Sequence, residues 1–240
     1  YTLKGKLNTD FSNNDTVIAS STPSSDWTTV RGVNTSQTVT PAGGTVTMST
    51  MTVKAASLTV TISADTNAAA TNQNLVVGTV AYPFTRYVLD ASSSGEDVRI
   101  TQFALRTGID TANTADDMNN CQVFDGATSL NTGTNVVNPG NSVADADATT
   151  FTLDTGLVIP KGTVKTVTMK CNLASGATAA QNYRWGLANA VGSVISTGMT
   201  SGTSLTETIT ANNGRTIISR ASGTITIALD PSSPSLKLIQ

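Results

Sequence analysis

The sequence predicts an all-β protein, and three observations carry that prediction. Val and Thr, which fit a pleated surface, recur in short runs, while the long stretches of Leu, Glu, Lys and Ala that build helices are absent. Many of the runs alternate apolar and polar residues, so that one face is buried and the other wet. Gly, Pro, Asn and Asp punctuate them every 8–15 residues or so, the punctuation of strands joined by turns. A chain of 240 residues is long enough to bury a substantial core in one large domain or two smaller ones.

The clearest element is Gly156–Leu173: an apolar strand, a Pro160-Lys161-Gly162 turn, and a second strand in which Val167, Met169, Cys171 and Leu173 alternate with Thr168, Lys170 and Asn172. The start of the chain repeats the end of that strand, because Thr2–Leu7 matches Thr168–Leu173 in character at a spacing of about 166 residues, the size of a domain. Thr2–Leu7 is therefore expected to be a strand. Next comes a Ser/Thr/Asn-rich stretch holding Trp27, then two alternating runs around Pro41-Ala42-Gly43-Gly44, which predict a hairpin over Thr38–Met48. Asn212-Asn213-Gly214 predicts another over Thr208–Ile218, and each is followed by a Thr-alternating strand, Ser57–Ile62 and Thr224–Leu229.

Between these lie Asn74–Asp90, a strand broken at Pro83, which marks an edge or a switch between sheets. Ala91–Gly95 is a loop. In Val98–Leu105 the apolar phase shifts from Val98 and Ile100 to Phe103 and Leu105, which requires one extra residue and so a β-bulge near Thr101. Gly108–Asn120 is polar and predicts an exposed loop, Asp125-Gly126 a hairpin, Asn138-Pro139-Gly140 a turn, and Phe151–Leu153 a strand. The expected organisation is a partial β-sandwich repeat over 1–56, a complete one over 57–222, and the first strand of a following repeat or an inter-subunit strand over 223–240. Seven or more strands with such turns suggest two packed sheets of the immunoglobulin-like kind.

The order of a Leu-Thr-Val strand, Leu75-Val76-Val77-Gly78, Gly95-Glu96-Asp97-Val98-Arg99-Ile100-Thr101, the Val123–Gly126 hairpin and Gly156–Thr163 before Lys165–Lys170 resembles the tandem immunoglobulin-like domains of very large bacterial cell-surface proteins, common in candidate-phylum bacteria. The resemblance covers most of residues 56–240. It implies an extracellular location and a structural role as a surface-layer or adhesin-stalk module, and it brings no catalytic residue with it. Residues 1–56, with Trp27 and a longer Ser/Thr loop, depart from the pattern.

Composition argues against several other functions. There is no His, which removes Ser-His-Asp and Cys-His mechanisms and the commonest zinc ligand. Glu96 and Glu207 are the only glutamates, and Glu96 beside Asp97 at a strand start is accounted for as a solvated charge. Two tryptophans, Trp27 and Trp185, do not make an aromatic-lined sugar cleft. No enzyme is expected. Net charge is −2 with scattered basic residues, so no nucleic-acid footprint is present, and no apolar run approaches the ~20 residues of a membrane span. The chain begins at Tyr1, as a processed or internal piece does.

Cys121 and Cys171 both fall in predicted strands, and in an exported protein an even count reads as a bridge; the alternative is two buried thiols. Asp110, Asp116 and Asp117 in one loop and Asp145 and Asp147 in another are candidate hard-oxygen ligands for Ca²⁺, although neither group has EF-hand spacing and a loop Asp is ordinarily solvated or making an Asx turn. No cofactor is otherwise expected. Asn14-Asp15-Thr16 and Asn34-Thr35-Ser36 match the glycosylation acceptor pattern.

The expectation for function is a structural extracellular protein: a self-assembling surface-layer or filament subunit whose terminal strands complete the sheets of neighbouring copies, giving a homo-oligomer or polymer. The alternative is an adhesin or glycan-binding module on a surface stalk, with a surface glycan bound in the loops at one end of the sandwich.

Overall fold

The computed structural model describes residues 3–8, 10–109, 117–139, 148–188, 193–223, 227, 228, 230 and 232. Among these, the first part of the chain has short elements: β1 (Thr16–Val17), β2 (Ser20–Ser21), a helical turn α1 (Pro23–Asp26), β3 (Val46–Thr47) and β4 (Met51–Thr52). Longer strands follow: β5 (Thr59–Ile62), β6 (Gln73–Val76), β7 (Tyr82–Asp90), β8 (Val98–Ile109), β9 (Met118–Asp125) and β10 (Thr128–Ser129). The rest are β11 (Ala148–Ile159), β12 (Val164–Leu173), β13 (Asn182–Gly186), β14 (Val194–Gly198), β15 (Thr208–Ile209) and β16 (Ile217–Arg220). The protein is all-β, as its composition requires.

Residues 59–220 form two large sheets. One runs β10-β9-β12-β7-β5-β15; the other runs β11-β8-β13-β16-β6, with β14 also paired to β8. Alternation puts Val60, Leu89, Val167, Met169 and Val123 of the first sheet and Ile100, Phe103, Leu105, Trp185 and Ile217 of the second into one buried cluster. Two polar ties join the sheets inside it: Thr85 Oγ1 of β7 donates to the Trp185 carbonyl of β13 at 2.8 Å, and the Tyr87 hydroxyl to that of Gly186 at 3.4 Å. The Trp185 ring meets Phe151 edge-on, with centroids 5.4 Å apart. The unit closes on itself by parallel pairing at both ends, β15 beside β5 and β16 beside β6.

Several sequence expectations hold in detail. Asp125-Gly126 makes the β9–β10 hairpin, with Gly126 at φ 60°. The bulge falls on Thr101: opposite β14, Gln102 pairs with Ile195 and Ile100 with Ser196, so Thr101 is the supernumerary residue that re-phases the apolar side chains. The expected switch between sheets is present, but the break in Asn74–Asp90 falls at Val77–Ala81, which carries the chain from β6 in one sheet to β7 in the other, and not at Pro83, which lies inside β7. Pro83 sits where β7 faces only β12, since β5 pairs with Tyr87–Asp90 alone, so its missing N–H costs the ladder little.

Others are corrected. Thr208–Ile218 is not a hairpin: β15 belongs to one sheet and β16 to the other, and Asn212-Asn213-Gly214 turns the chain between sheets while Asn212 bridges Leu187. Thr38–Met48 is not a hairpin either, because β3 pairs with β2 and Thr38 bridges Arg31. Positive φ at Gly214 (75°) and Gly43 (137°) is present, but the tertiary partners decide which strand each arm joins. Leu3–Leu7 is in no strand among the described residues. The predicted loop over Gly108–Asn120 is shorter than expected, since β8 runs to Ile109, β9 starts at Met118, and Asp117 is buried.

Among the described residues, the backbone pairings of residues 14–53 recur in residues 180–219. Val17 pairs with Met51 and Thr16 with Thr52; Tyr183 pairs with Ile217 and Asn182 with Ile218. Ser21 faces Val46, and Leu187 faces Asn212; Arg31 bridges Thr38, and Thr197 bridges Ser204. Individual hydrogen bonds follow suit: Asn14 N–H to Val53 and Ala180 N–H to Ser219, Gly32 N–H to Gln37 and Gly198 N–H to Thr203, Val39 N–H to Val30 and Leu205 N–H to Ser196. The left-handed residues Asn14 and Ser36 correspond to Ala180 and Gly202. Each later residue number exceeds the earlier by 166, the spacing at which Thr2–Leu7 and Thr168–Leu173 match.

Candidate functional site

Among the described residues, an exposed apolar surface lies on residues 3–53. A groove of about 920 Å³ is lined by Leu3, Leu7, Val17, Ala19, Met51 and Val53 among others. A second of about 470 Å³ shares Leu3, Ala19 and Met48 with it and adds Pro23, Trp27 and Val46. The lining is apolar because it is the inward side of the alternating strands: Val17 and Ala19 come from one run, Met51 and Val53 from the other. In an ordinary sandwich a second sheet covers such residues. Here Leu3 is 72% exposed, Leu7 48% and Met51 55%, whereas their counterparts one repeat later, Met169, Leu173 and Ile217, are exposed by 1% or less. Trp27 lies half-exposed along the same surface, its indole N–H donating to Ser21 Oγ at 3.0 Å. Trp27 and the repeat are legible in the sequence, whereas the open face is signalled there only by the apolar character of Leu3, Leu7 and Met51.

Cys121 and Cys171 form a disulfide between adjacent strands β9 and β12 of one sheet. It sits where the β9–β12 register shifts, between the pairs Lys170–Gln122 and Asn172–Asn119. The bridge is therefore within a sheet and not between the two, unlike that of antibody domains.

The acidic residues separate. Asp110, Asp116, Asp145 and Asp147 lie outside the described residues. Asp117 is buried and accepts a hydrogen bond of 2.9 Å from the Tyr183 hydroxyl. Burial, together with that bond and the Asp117 charge, pushes the Tyr183 hydroxyl above its ordinary pKa. Among the described residues no group of three or more Cys, Asp or Glu is arranged to hold a metal ion. Glu96 clamps a turn: its carboxylate accepts the N–H groups of Thr200 and of Ser201, the latter at 2.8 Å. Burial raises the Glu96 pKa, but the Ser201 and Thr200 hydrogen bonds outweigh it and hold the carboxyl below its usual range. Asp97 accepts the Lys161 N–H at 2.9 Å, tying the Pro-Lys-Gly turn down, and Glu207 accepts the Ser196 hydroxyl. Asp117, Glu96, Asp97 and Glu207 are thus each engaged in hydrogen bonds within the fold.

No helix among the described residues is long and apolar enough to cross a membrane. In comparisons with known proteins, no family model matches the chain and no curated protein is similar to it.

Proposed function

We propose that this chain is a structural, extracellular protein built of immunoglobulin-like sandwich modules in series, with residues 1–56 the closing part of one module, residues 57–222 a complete one and residues 223–240 the opening strand of a third. It serves as a self-assembling surface-layer or filament subunit whose terminal segments dock on neighbours. The observation that carries this reading is the recurrence of the same pairings 166 residues apart, which is the signature of a repeat architecture. A disulfide suits an exported protein, and low charge with Thr-covered strands suits lateral packing. Glu96 and Asp97 tie turns, and Asp117 and Glu207 accept hydrogen bonds from Tyr183 and Ser196, whereas the apolar face of residues 3–53 has no such structural role among the described residues.

A second reading, a glycan-binding adhesin module, is favoured by the half-exposed indole of Trp27 beside a groove, the kind of ring on which a sugar face packs. Electron microscopy of the purified chain at rising concentration separates the two. Ordered polymers are the expected result; dispersed particles that are retained on a glycan array, and lose retention on Trp27→Ala, would replace the first reading with the second.

A further inference from the structure

We propose that the apolar face of residues 3–53 is a docking surface, and that its occupant is the opening half of a sandwich of this same kind: a polypeptide bearing strands equivalent to β5 through β11. The inference deepens the proposed function, since it rests on the chain being made of sandwich modules in series, but it does not depend on polymerisation.

In the complete unit, β13 lies between β16 and β8, pairing with β8 through Tyr183–Ile109, Arg184–Gly108, Trp185–Thr107 and Gly186–Arg106. Its counterpart at residues 16–20 has the matching neighbour on one side, β4, and among the described residues no strand on the other. Met169 and Leu173, counterparts of Leu3 and Leu7, stand on β12 between β7 and β9; residues 3–7 have no such flanks among the described residues and carry no ladder. What covers the face in one copy is therefore what fits it in the other: an antiparallel strand beside residues 17–20, and two more astride residues 3–7. An exposed strand edge joined to a large apolar face is the usual setting for strand addition.

The lining also says how the occupant is held. Ala19 stands where the complete unit has the fully buried Trp185, and Trp27 lines the same hollow, so an indole is supplied from a different position. Gly5 stands in place of Cys171, so the occupant is held without the intrasheet disulfide. In a second copy of this chain the opening strands β5–β11 are already closed by β12–β16, so self-assembly of copies runs through other contacts, residues 223–240 among them, while this face takes an opening half that is still unpaired.

The test supplies the occupant in register. Residues 57–166 of this sequence are joined ahead of Tyr1 of the full chain, so that the added segment stands to residues 1–53 as residues 57–166 stand to residues 167–219. Hydrogen exchange of the amides of residues 17–20 is expected to slow at least ~10-fold relative to the natural chain, a change of about 1.4 kcal/mol in opening free energy. Met51→Lys is expected to abolish that protection in the extended chain while leaving the thermal unfolding of the natural chain unchanged. Unaltered exchange at residues 17–20 overturns the proposal, as does an added segment that is protected only by capturing residues 167–219, which Ile217→Lys and not Met51→Lys would then disrupt. A natural chain that dimerises through this face in sedimentation, and loses the dimer on Met51→Lys, would assign the surface to a second copy and overturn the choice of occupant. Dispersed particles in microscopy would count against polymerisation alone and leave this result standing.

Discussion

At the scale of single residues, the repeat offers matched pairs in different surroundings. Ile217 is fully buried and Met51 is half-exposed, though both hold the same backbone register. Ile217→Ala should cost about 2–5 kcal/mol, the range for truncating a buried aliphatic side chain. Met51→Ala should stay within about 0.5 kcal/mol, as an exposed substitution does; denaturant unfolding of the two variants checks both values. Glu96 makes a different prediction. Its folded pKa lies below the ordinary carboxylate value of about 4.3, so its contribution to stability is fully present above that pH and is lost as pH falls through the folded pKa. Thermal scans from neutral pH downward should show a loss of stability beginning below about pH 4.3 that is smaller in Glu96→Gln, with the variant less stable than the parent at neutral pH.

At the scale of elements, turns and crosslinks decide how the strands are held. Gly214 has φ 75°, and a Cβ there would overlap the Trp185 carbonyl oxygen; Gly162 has φ 74° and open space around it. Gly162→Ala should cost about 1–2 kcal/mol, the price of a left-handed L-residue alone. Gly214→Ala should cost more than that, because β13 must also move; the difference between the two unfolding free energies measures the close approach. The Cys121–Cys171 bridge spans 50 residues of sequence, and closing a loop of that size stabilises by about 4 kcal/mol in the chain-entropy model. Denaturant unfolding with and without reductant should differ by roughly that amount, and mass measurement should show two hydrogens gained on reduction. The elements also show where sequence reasoning stopped. Gly214 and Gly43 were legible as turns, but a turn residue sets a local backbone angle and does not say whether the next strand returns beside the last one or crosses to the facing sheet.

At the scale of the whole molecule, residues 59–220 and residues 3–53 should differ sharply in stability. The first share one buried cluster joined by inter-sheet hydrogen bonds; the second have two-residue pairings and an open apolar face. Native-state hydrogen exchange should find the amides of β13 and β16 opening only with global unfolding, and those of β1 and β4 opening by local fluctuation at least ~10-fold faster. Equal protection in the two copies would mean that the groove is covered in solution.

The alternation of Val60 and Ile62, of Val167 and Met169, and the phase shift at Thr101 were determined by the sequence, because a period of two fixes which side chains share a face whatever the strand pairs with. The repeat spacing was legible for the same reason: Leu3 and Leu7 carry the pattern of Met169 and Leu173 before anything packs on them. Sheet membership, the in-sheet position of the disulfide, the burial of Asp117 against Tyr183, and the exposure of one copy of the face beside the burial of the other were decided only by tertiary structure. Each depends on contacts between residues far apart in the chain, and the local pattern is identical whether or not the partner is there.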